Sequence, residues 1–261
     1  MKQTVTSIQK AKGVKKLAMI TAYDALFAKL FDGEVDFILV GDSLNMSFAG
    51  NTDTLSIGID EMIYHTNAVC NGAKNTFVIC DMPFGTYVDK KIAFKNARKV
   101  YRKTNADAVK IEGGKSKAKI IKHLTKNSIA VVGHIGLMPQ NVKAEGGYKI
   151  KGKDEHNIQS LVNDALAVEK AGAFLLVVEG VKSEAAKAIT DAVSIPVIGI
   201  GAGIDTDGQV LVWSDMFGFF EEFKPKFVRE YLDGASLIKN GVKKYVKDVE
   251  SKKFPSDSEI Y

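Results

Sequence analysis

Cysteine is scarce. The 261-residue chain has two, Cys70 and Cys80, in neither a redox nor a metal-ligand spacing. That excludes a disulfide framework and a thiolate metal site and leaves two reduced thiols. No apolar run approaches the roughly 20 residues that a membrane-spanning helix needs. The opening residues, MKQTVTSIQKAKG, lack the apolar stretch of a secretory signal. The expectation is a cytoplasmic protein with no membrane partner. Linkers and low-complexity tracts are missing as well, so one domain over residues 1–261 is expected. The net charge of +5 is modest, and the lysine-rich runs 115–126 and 239–253 alternate with apolar residues. Such alternation marks solvated helix faces, and no aromatic residues interleave with it for base stacking, so no nucleic-acid partner is expected.

The chain does contain a repeated pattern. Short apolar, β-branched runs recur at 17–21 (LAMIT), 36–40 (DFILV), 76–80 (TFVIC), 107–111 (DAVKI), 130–133 (AVVG), 173–178 (AFLLVV), 196–200 (PVIGI) and 209–212 (QVLV). Most are continuously apolar, as parallel strands covered on both faces are. Helical patterns lie between them, at 60–70, 91–103, 115–126, 160–171 and 183–192. Eight alternations in a chain of this length predict a single-domain α/β fold, a (β/α)8 TIM barrel. Two stretches break the rhythm. Residues 137–156 have little periodicity and read as a long loop after the fifth strand, in the manner of an active-site lid. Residues 225–253 read as an amphipathic helical extension.

The chemistry lies at the C-terminal ends of the apolar runs. The second leads into Asp42 and Ser43, the third into Asp81, the fourth carries Lys110 and Glu112, the fifth leads to His134 and the sixth to Glu179. A single Asp in such a place is commonly a helix cap. Five successive strands delivering ionisable groups to the face where barrels keep their active sites are not explained by capping. Lys110 and Glu112, two apart, share one side of their strand. Carboxylates at Asp42, Asp81 and Glu112 suit Mg²⁺ rather than zinc. Lys110 offers a point charge to an anionic substrate, His134 a hydrogen bond, and a half-buried Glu179 a general base. Together they suggest metal-assisted proton abstraction beside a carbonyl, with Mg²⁺ stabilising an enolate. The glycine run 199–203 (GIGAG) is not a GxGxxG fingerprint and comes late in the chain, so a dinucleotide site is not expected.

The motifs ITAYDALFAKLF (20–31), ILVGDSLNM (38–46), DMPFGTY (81–87), VKIEGG (109–114), GHIGLMPQ (133–140), GGYKIKG (146–152), GIGAG (199–203) and DGQVLV (207–212) follow one another in a recognisable order. In them the chain resembles the ketopantoate hydroxymethyltransferase family from about Ser7 to Pro255. The resemblance implies transfer of a hydroxymethyl group from 5,10-methylenetetrahydrofolate to 3-methyl-2-oxobutanoate, giving 2-dehydropantoate, by a Mg²⁺-dependent homodecamer of two pentameric rings. It implies Asp42 and Asp81 as metal ligands with Glu112 nearby. Asp42, Ser43, Asp81, Lys110 and His134 become substrate contacts and Glu179 the proton acceptor. Departures from the family pattern fall at Met138, Lys151, Val181-Lys182 and Ser214, none of them a metal or base position. The competing expectation is a Mg²⁺-dependent C–C lyase acting on an α-keto or hydroxy acid. The absence of a cysteine from residues 137–156 weighs against it.

Overall fold

The structure, a computed structural model, describes residues 2–221 and 224–261. Eight parallel strands form the barrel: β1 (Leu17–Thr21), β2 (Phe37–Val40), β3 (Phe77–Asp81), β4 (Ala108–Glu112), β5 (Val131–Gly136), β6 (Leu175–Glu179), β7 (Val197–Ile200) and β8 (Gly208–Leu211). They follow chain order, and β8 pairs back onto β1. This is the (β/α)8 barrel that the sequence predicts. All eight runs are strands, with ends shifted by up to three residues. The shifts at the C-terminal ends matter most. Asp81 pairs with Lys110, Glu112 with His134, and Gly136 with Glu179. The polar residues are therefore inside the ladder rather than just beyond it.

The helices of this part are α1 (Val5–Gln9), α2 (Ala25–Phe31), α3 (Leu44–Ser47), α4 (Ile59–Gly72), α5 (Lys90–Lys103), α6 (Ala118–Lys126), α7 (Val142–Glu145), α8 (Glu155–Lys170) and α9 (Ser183–Ala192). Side-chain caps set several starts, because the first amide N–H groups of a helix have no partner within it. Asp24 accepts from Leu26 and Phe27 at 2.8 and 2.9 Å, and Asp89 from Lys91 and Ile92 at 2.8 and 2.9 Å. Asp154 accepts from Asn157 N at 2.8 Å, so α8 begins five residues before the expected 160. The stretch 137–156 is accordingly less irregular than its sequence suggests. It holds a 3₁₀ turn at Pro139–Asn141, then α7, then the cap and first residues of α8.

Side chains of a strand alternate between two faces, and in a closed barrel one face is the interior. The core set includes Leu17 and Met19, Phe37 and Leu39, Phe77 and Ile79, Leu175 and Val177, and Ile198 and Ile200. Continuing the same spacing of two leads to Asp81 on β3, Lys110 and Glu112 from Ala108 on β4, His134 from Val132 on β5 and Glu179 on β6. Ile8 of α1 and Ala11 join the core. The N-terminal helix, which the sequence pattern does not reveal, thus packs into the apolar part of the interior.

Aspartates also start strands or precede them, but there they are structural. Asp36 accepts from Ala18 N at 2.9 Å and pairs with Lys15, and Asp107 accepts from Val78 N at 2.7 Å and pairs with Lys2. Asp207 accepts from Val197 N at 2.9 Å and Gly13 N at 3.2 Å and pairs with Lys12 at 2.8 Å. Each satisfies a backbone donor that the barrel would otherwise leave unpaired.

Residues Trp213–Tyr261 form a second compact unit. It contains α10 (Trp213–Met216) and α11 (Gly234–Glu250). Helix was expected from residue 225, but it begins only at Gly234, where Asp233 accepts from Ser236 N at 3.2 Å. Trp213 opens α10, and its ring meets Phe219 edge-on at 5.3 Å.

Replacing Asp207 with Ala strands the buried Val197 amide and the Lys12 ammonium. Asp207→Ala should lower unfolding stability by about 1–3 kcal/mol, read as a fall in the urea midpoint.

Candidate active site

The strand register brings five of the predicted residues into one connected group. Lys110 Nζ lies 3.2 Å from Asp81 Oδ1 and 3.1 Å from His134 Nδ1. The same nitrogen has Glu112 Oε1 at 3.4 Å, and on the other side of the ring Nε2 has Glu179 Oε2 at 3.3 Å. Asp42, two residues past β2, donates its backbone N–H to Asp81 Oδ2 at 3.1 Å. That bond fixes the two aspartates side by side. Gly41 suits the approach, since a Cβ there would lie 2.8 Å from Ser43 Oγ. Ser43 is held by Tyr23, whose hydroxyl lies 2.9 Å from Ser43 Oγ. Asp42, Asp81, Lys110, Glu112 and His134 are all buried, whereas the Glu179 side chain keeps 23% of its surface exposed.

Burial in a low dielectric penalises charge, and neighbouring charges decide which groups keep theirs. Burial, with repulsion from Asp81 and Glu112, pushes the Asp42 carboxyl well above its ordinary range. Burial also raises Asp81, although Lys110 opposes it. For Lys110 the order reverses: burial pulls it down, but Asp81 and Glu112 outweigh burial and hold it above its usual value. Burial would lift Glu112, yet the hydrogen bond and charge of His134 bring it below the ordinary carboxyl value. Burial and Lys110 both push His134 down, and Glu112 with Glu179 outweigh them and hold it up at about 9. The short Lys110 contact alone would favour a neutral Nδ1 accepting a proton. Two carboxylates against one ammonium make the imidazolium the stable form near neutrality.

Four carboxyl groups therefore gather about one ammonium and one imidazolium, and ionising all four would leave a formal excess of two negative charges. Two buried polar atoms of this group, Asp81 Oδ1 and His134 Nε2, close no well-formed hydrogen bond. Leaving such atoms unmatched costs about 1–3 kcal/mol each, which marks a place for a ligand. Among the described residues no three His, Cys, Asp or Glu side chains gather as a ready cage for a metal ion. Mg²⁺ does not need one, since it takes one or two carboxylates and keeps several waters. The charge excess and the adjacent Asp42 and Asp81 oxygens fit that ion.

The structure adds residues to those the sequence singles out. Gln140, from the turn after β5, donates Nε2–H to Asp42 Oδ2 at 2.8 Å and to the Met82 carbonyl at 3.0 Å. Its backbone N–H reaches Glu112 Oε2 at 3.1 Å, and its side-chain carbonyl accepts from the Tyr87 hydroxyl. Glu112 is thus engaged by His134 and Gln140. Gln140 lies in the motif GHIGLMPQ, but an uncharged amide in a turn gives no spacing signal. Phe84, near Tyr87 in sequence, is exposed. His65 bonds the Tyr23 carbonyl at 2.7 Å, and His123 packs edge-on against Phe94 at 5.9 Å. Both stand among structural contacts. Among the described residues no helix is long and apolar enough to cross a membrane.

Known proteins share this architecture. A 2,3-dimethylmalate lyase of the PEP mutase/isocitrate lyase superfamily aligns over 100% of this chain and 93% of its own, with a TM-score of 0.60 at 16% identity. A putative phosphonomutase from Burkholderia cenocepacia gives a TM-score of 0.65 at 14% identity, over 94% of this chain and 99% of its own. At such identities the likeness is one of fold. Sequence relatives are far nearer. The 3-methyl-2-oxobutanoate hydroxymethyltransferase of Aliarcobacter butzleri is 68% identical over 100% of this chain and 97% of its own length. The protein of the same name from Sulfurimonas denitrificans is 62% identical over 100% and 99%. The sequence model of ketopantoate hydroxymethyltransferase matches residues 2–257, and the chain belongs to that family of transferases.

Proposed function

We propose that this enzyme transfers a hydroxymethyl group from 5,10-methylenetetrahydrofolate to 3-methyl-2-oxobutanoate, giving 2-dehydropantoate, with Mg²⁺ as its metal. The observation that carries the reading is the group of three buried carboxyl groups, Asp42, Asp81 and Glu112, beside the buried ammonium of Lys110. A divalent cation and an α-keto acid together satisfy both. Asp42 and Asp81 hold the cation, and Glu112 stands nearby, holding His134 and the Gln140 amide. When bound, the ion polarises the keto oxygen as a Lewis acid and favours loss of the adjacent proton.

The remaining roles follow from the chain's own groups. Lys110, kept charged by Asp81 and Glu112, sets a point charge for the substrate carboxylate. Ser43, steadied by Tyr23, and His134 supply hydrogen bonds to the same molecule. Glu179 is the half-exposed carboxylate of the group, and His134 Nε2 lies 3.3 Å from one of its oxygens. We assign to it removal of the proton at C3 of the keto acid. The carbon so exposed bonds to the methylene carbon of the donor as both of its C–N bonds break, and water supplies the hydroxyl oxygen. The C3 proton and one proton of the water end on the two nitrogens of the released tetrahydrofolate. We also place the protein in the cytoplasm, as a homodecamer of two pentameric rings. The exposed side chains Leu237, Ile238, Val242, Tyr245, Val246 and Val249 form an apolar stripe on α11 that supports self-association.

Glu179→Gln should retain Mg²⁺ and keto-acid binding while exchange of the C3 proton with deuterated water stops; exchange at the wild-type rate would remove Glu179 as the base. Asp42→Ala and Asp81→Ala should each weaken Mg²⁺ binding strongly, and a normal calorimetric titration of both variants would sink the metal assignment. Burial holds both carboxyl groups above their ordinary values while no cation is present, so the ion competes with protons for them. Mg²⁺ affinity should therefore rise with pH, and the heat of binding should scale with the ionisation enthalpy of the buffer. A buffer-independent heat would contradict this.

A further inference from the structure

Gln140 uses nearly all of its hydrogen-bonding capacity, and every partner is part of the site or adjoins it. Its two amide N–H groups point at acceptors only, Asp42 Oδ2 and the Met82 carbonyl. That fixes which end of the amide is nitrogen, so Oε1 must face Tyr87 and the Tyr87 hydroxyl must donate. Tyr87 is well placed as that donor. Its side chain is buried, burial and the nearby Glu112 and Asp42 keep its phenol protonated, and Lys117 Nζ lies 5.2 Å over the ring. Among the described residues Asp42 Oδ1 accepts no hydrogen bond. The amide thus occupies one oxygen of Asp42 and leaves its fellow open.

Gln140 also has a place in the chain that matters. It lies in the turn Pro139–Asn141 that opens the segment between β5 and α8. Farther along that segment, Lys151 N donates to the Gly180 carbonyl at 2.9 Å, and the Lys151 carbonyl accepts from Lys182 N at 3.1 Å. These bonds seat the segment on the turn that comes after Glu179. The Gln140 contacts exist only while the start of the segment is in place.

We infer that Gln140, held by Tyr87, is a positioning residue that aims the Asp42 carboxylate at its cation and ties cation binding to the seating of the segment between β5 and α8. The inference rests on the reading that Asp42 and Asp81 hold the ion. A Met at this position would match the length of Gln and remove the amide, and a Glu would set a like charge against Asp42. Linkage makes the coupling reciprocal: if a seated segment favours the ion, the ion must favour a seated segment.

The test uses the full chain, with Mg²⁺ titrated by calorimetry and amide hydrogen exchange of residues 139–147 followed with and without the ion. Gln140→Met should weaken Mg²⁺ binding about 10–100-fold, the range for groups that orient metal ligands, and abolish the protection that Mg²⁺ confers on 139–147. Tyr87→Phe should act in the same direction by less. Combining the two should be no worse than Gln140→Met alone, because Tyr87 acts through Gln140. A purely structural role would shift thermal unfolding equally with and without Mg²⁺ and leave affinity intact. Wild-type affinity and protection in both single variants, with Asp42→Ala abolishing binding, would overturn the inference and spare the metal site. Mg²⁺ binding that survives Asp42→Ala would overturn the underlying reading and this inference with it. If Gln140→Met does not fold, Tyr87→Phe, which deletes one oxygen, decides alone: unchanged affinity and protection overturn the inference.

Discussion

Eight parallel strands closed on themselves leave every second side chain facing the barrel interior. That constraint orders the rest of the molecule. Along each strand the inward series is apolar for its first members, from Phe37, Phe77 and Leu175 through Leu39, Ile79 and Val177. On β3 to β6 it then turns ionisable toward the C-terminal end, at Asp81, Lys110, Glu112, His134 and Glu179. Neighbouring strands are in register, so these ends meet as pairs: Asp81 with Lys110, and Glu112 with His134. The ion pairs follow from the ladder itself, because backbone hydrogen bonding has already set which residues lie side by side.

A buried layer of this kind is costly unless each charge is matched. Lys110 and His134 match two of the four carboxylates and hold their own protons in doing so. The unmatched charge shows up as raised Asp42 and Asp81 carboxyls and as two polar atoms without good hydrogen bonds. The barrel supplies the stability that tolerates this. Its interior below the charged layer is continuous, and the ring contacts of Phe77 with Phe37 and Phe174, at 6.0 and 5.7 Å, lie within it.

Much of this was legible in the sequence, for identifiable reasons. Eight continuous apolar runs mark parallel strands because both faces of such strands are covered, and Lys110 and Glu112 could be placed together because strand periodicity is two. Asp42, Asp81, His134 and Glu179 were visible as polar residues interrupting or ending apolar runs. The hidden features have no periodic signature. Helix α1 spans five residues and depends on the barrel that Ile8 packs into. The helical turns within 137–156 depend on a local cap and a proline. Gln140 carries no charge, and its role exists only where three separate segments converge on it. Helix α11 was expected to be longer because residues 225–233 share its composition, and only the Asp233 cap sets its start.

The aspartates show why residue type without position would have misled. Asp36, Asp107 and Asp207 resemble Asp42 and Asp81 in chemistry and in nearness to strands. Each of the first three binds a backbone N–H and a lysine at the opposite ends of strands, so its charge is used up in holding the barrel. Among the described residues the Asp42 carboxyl accepts only the Gln140 amide, and Asp81 accepts the Asp42 backbone N–H while the ammonium beside its other oxygen lies in poor hydrogen-bond geometry. Carboxylates satisfied by their own chain have no affinity to spare, whereas carboxylates short of partners do. In a barrel that difference falls along the strand axis, with matched aspartates where strands begin and unmatched ones where they end, and the direction of the strands thereby decides which face can bind.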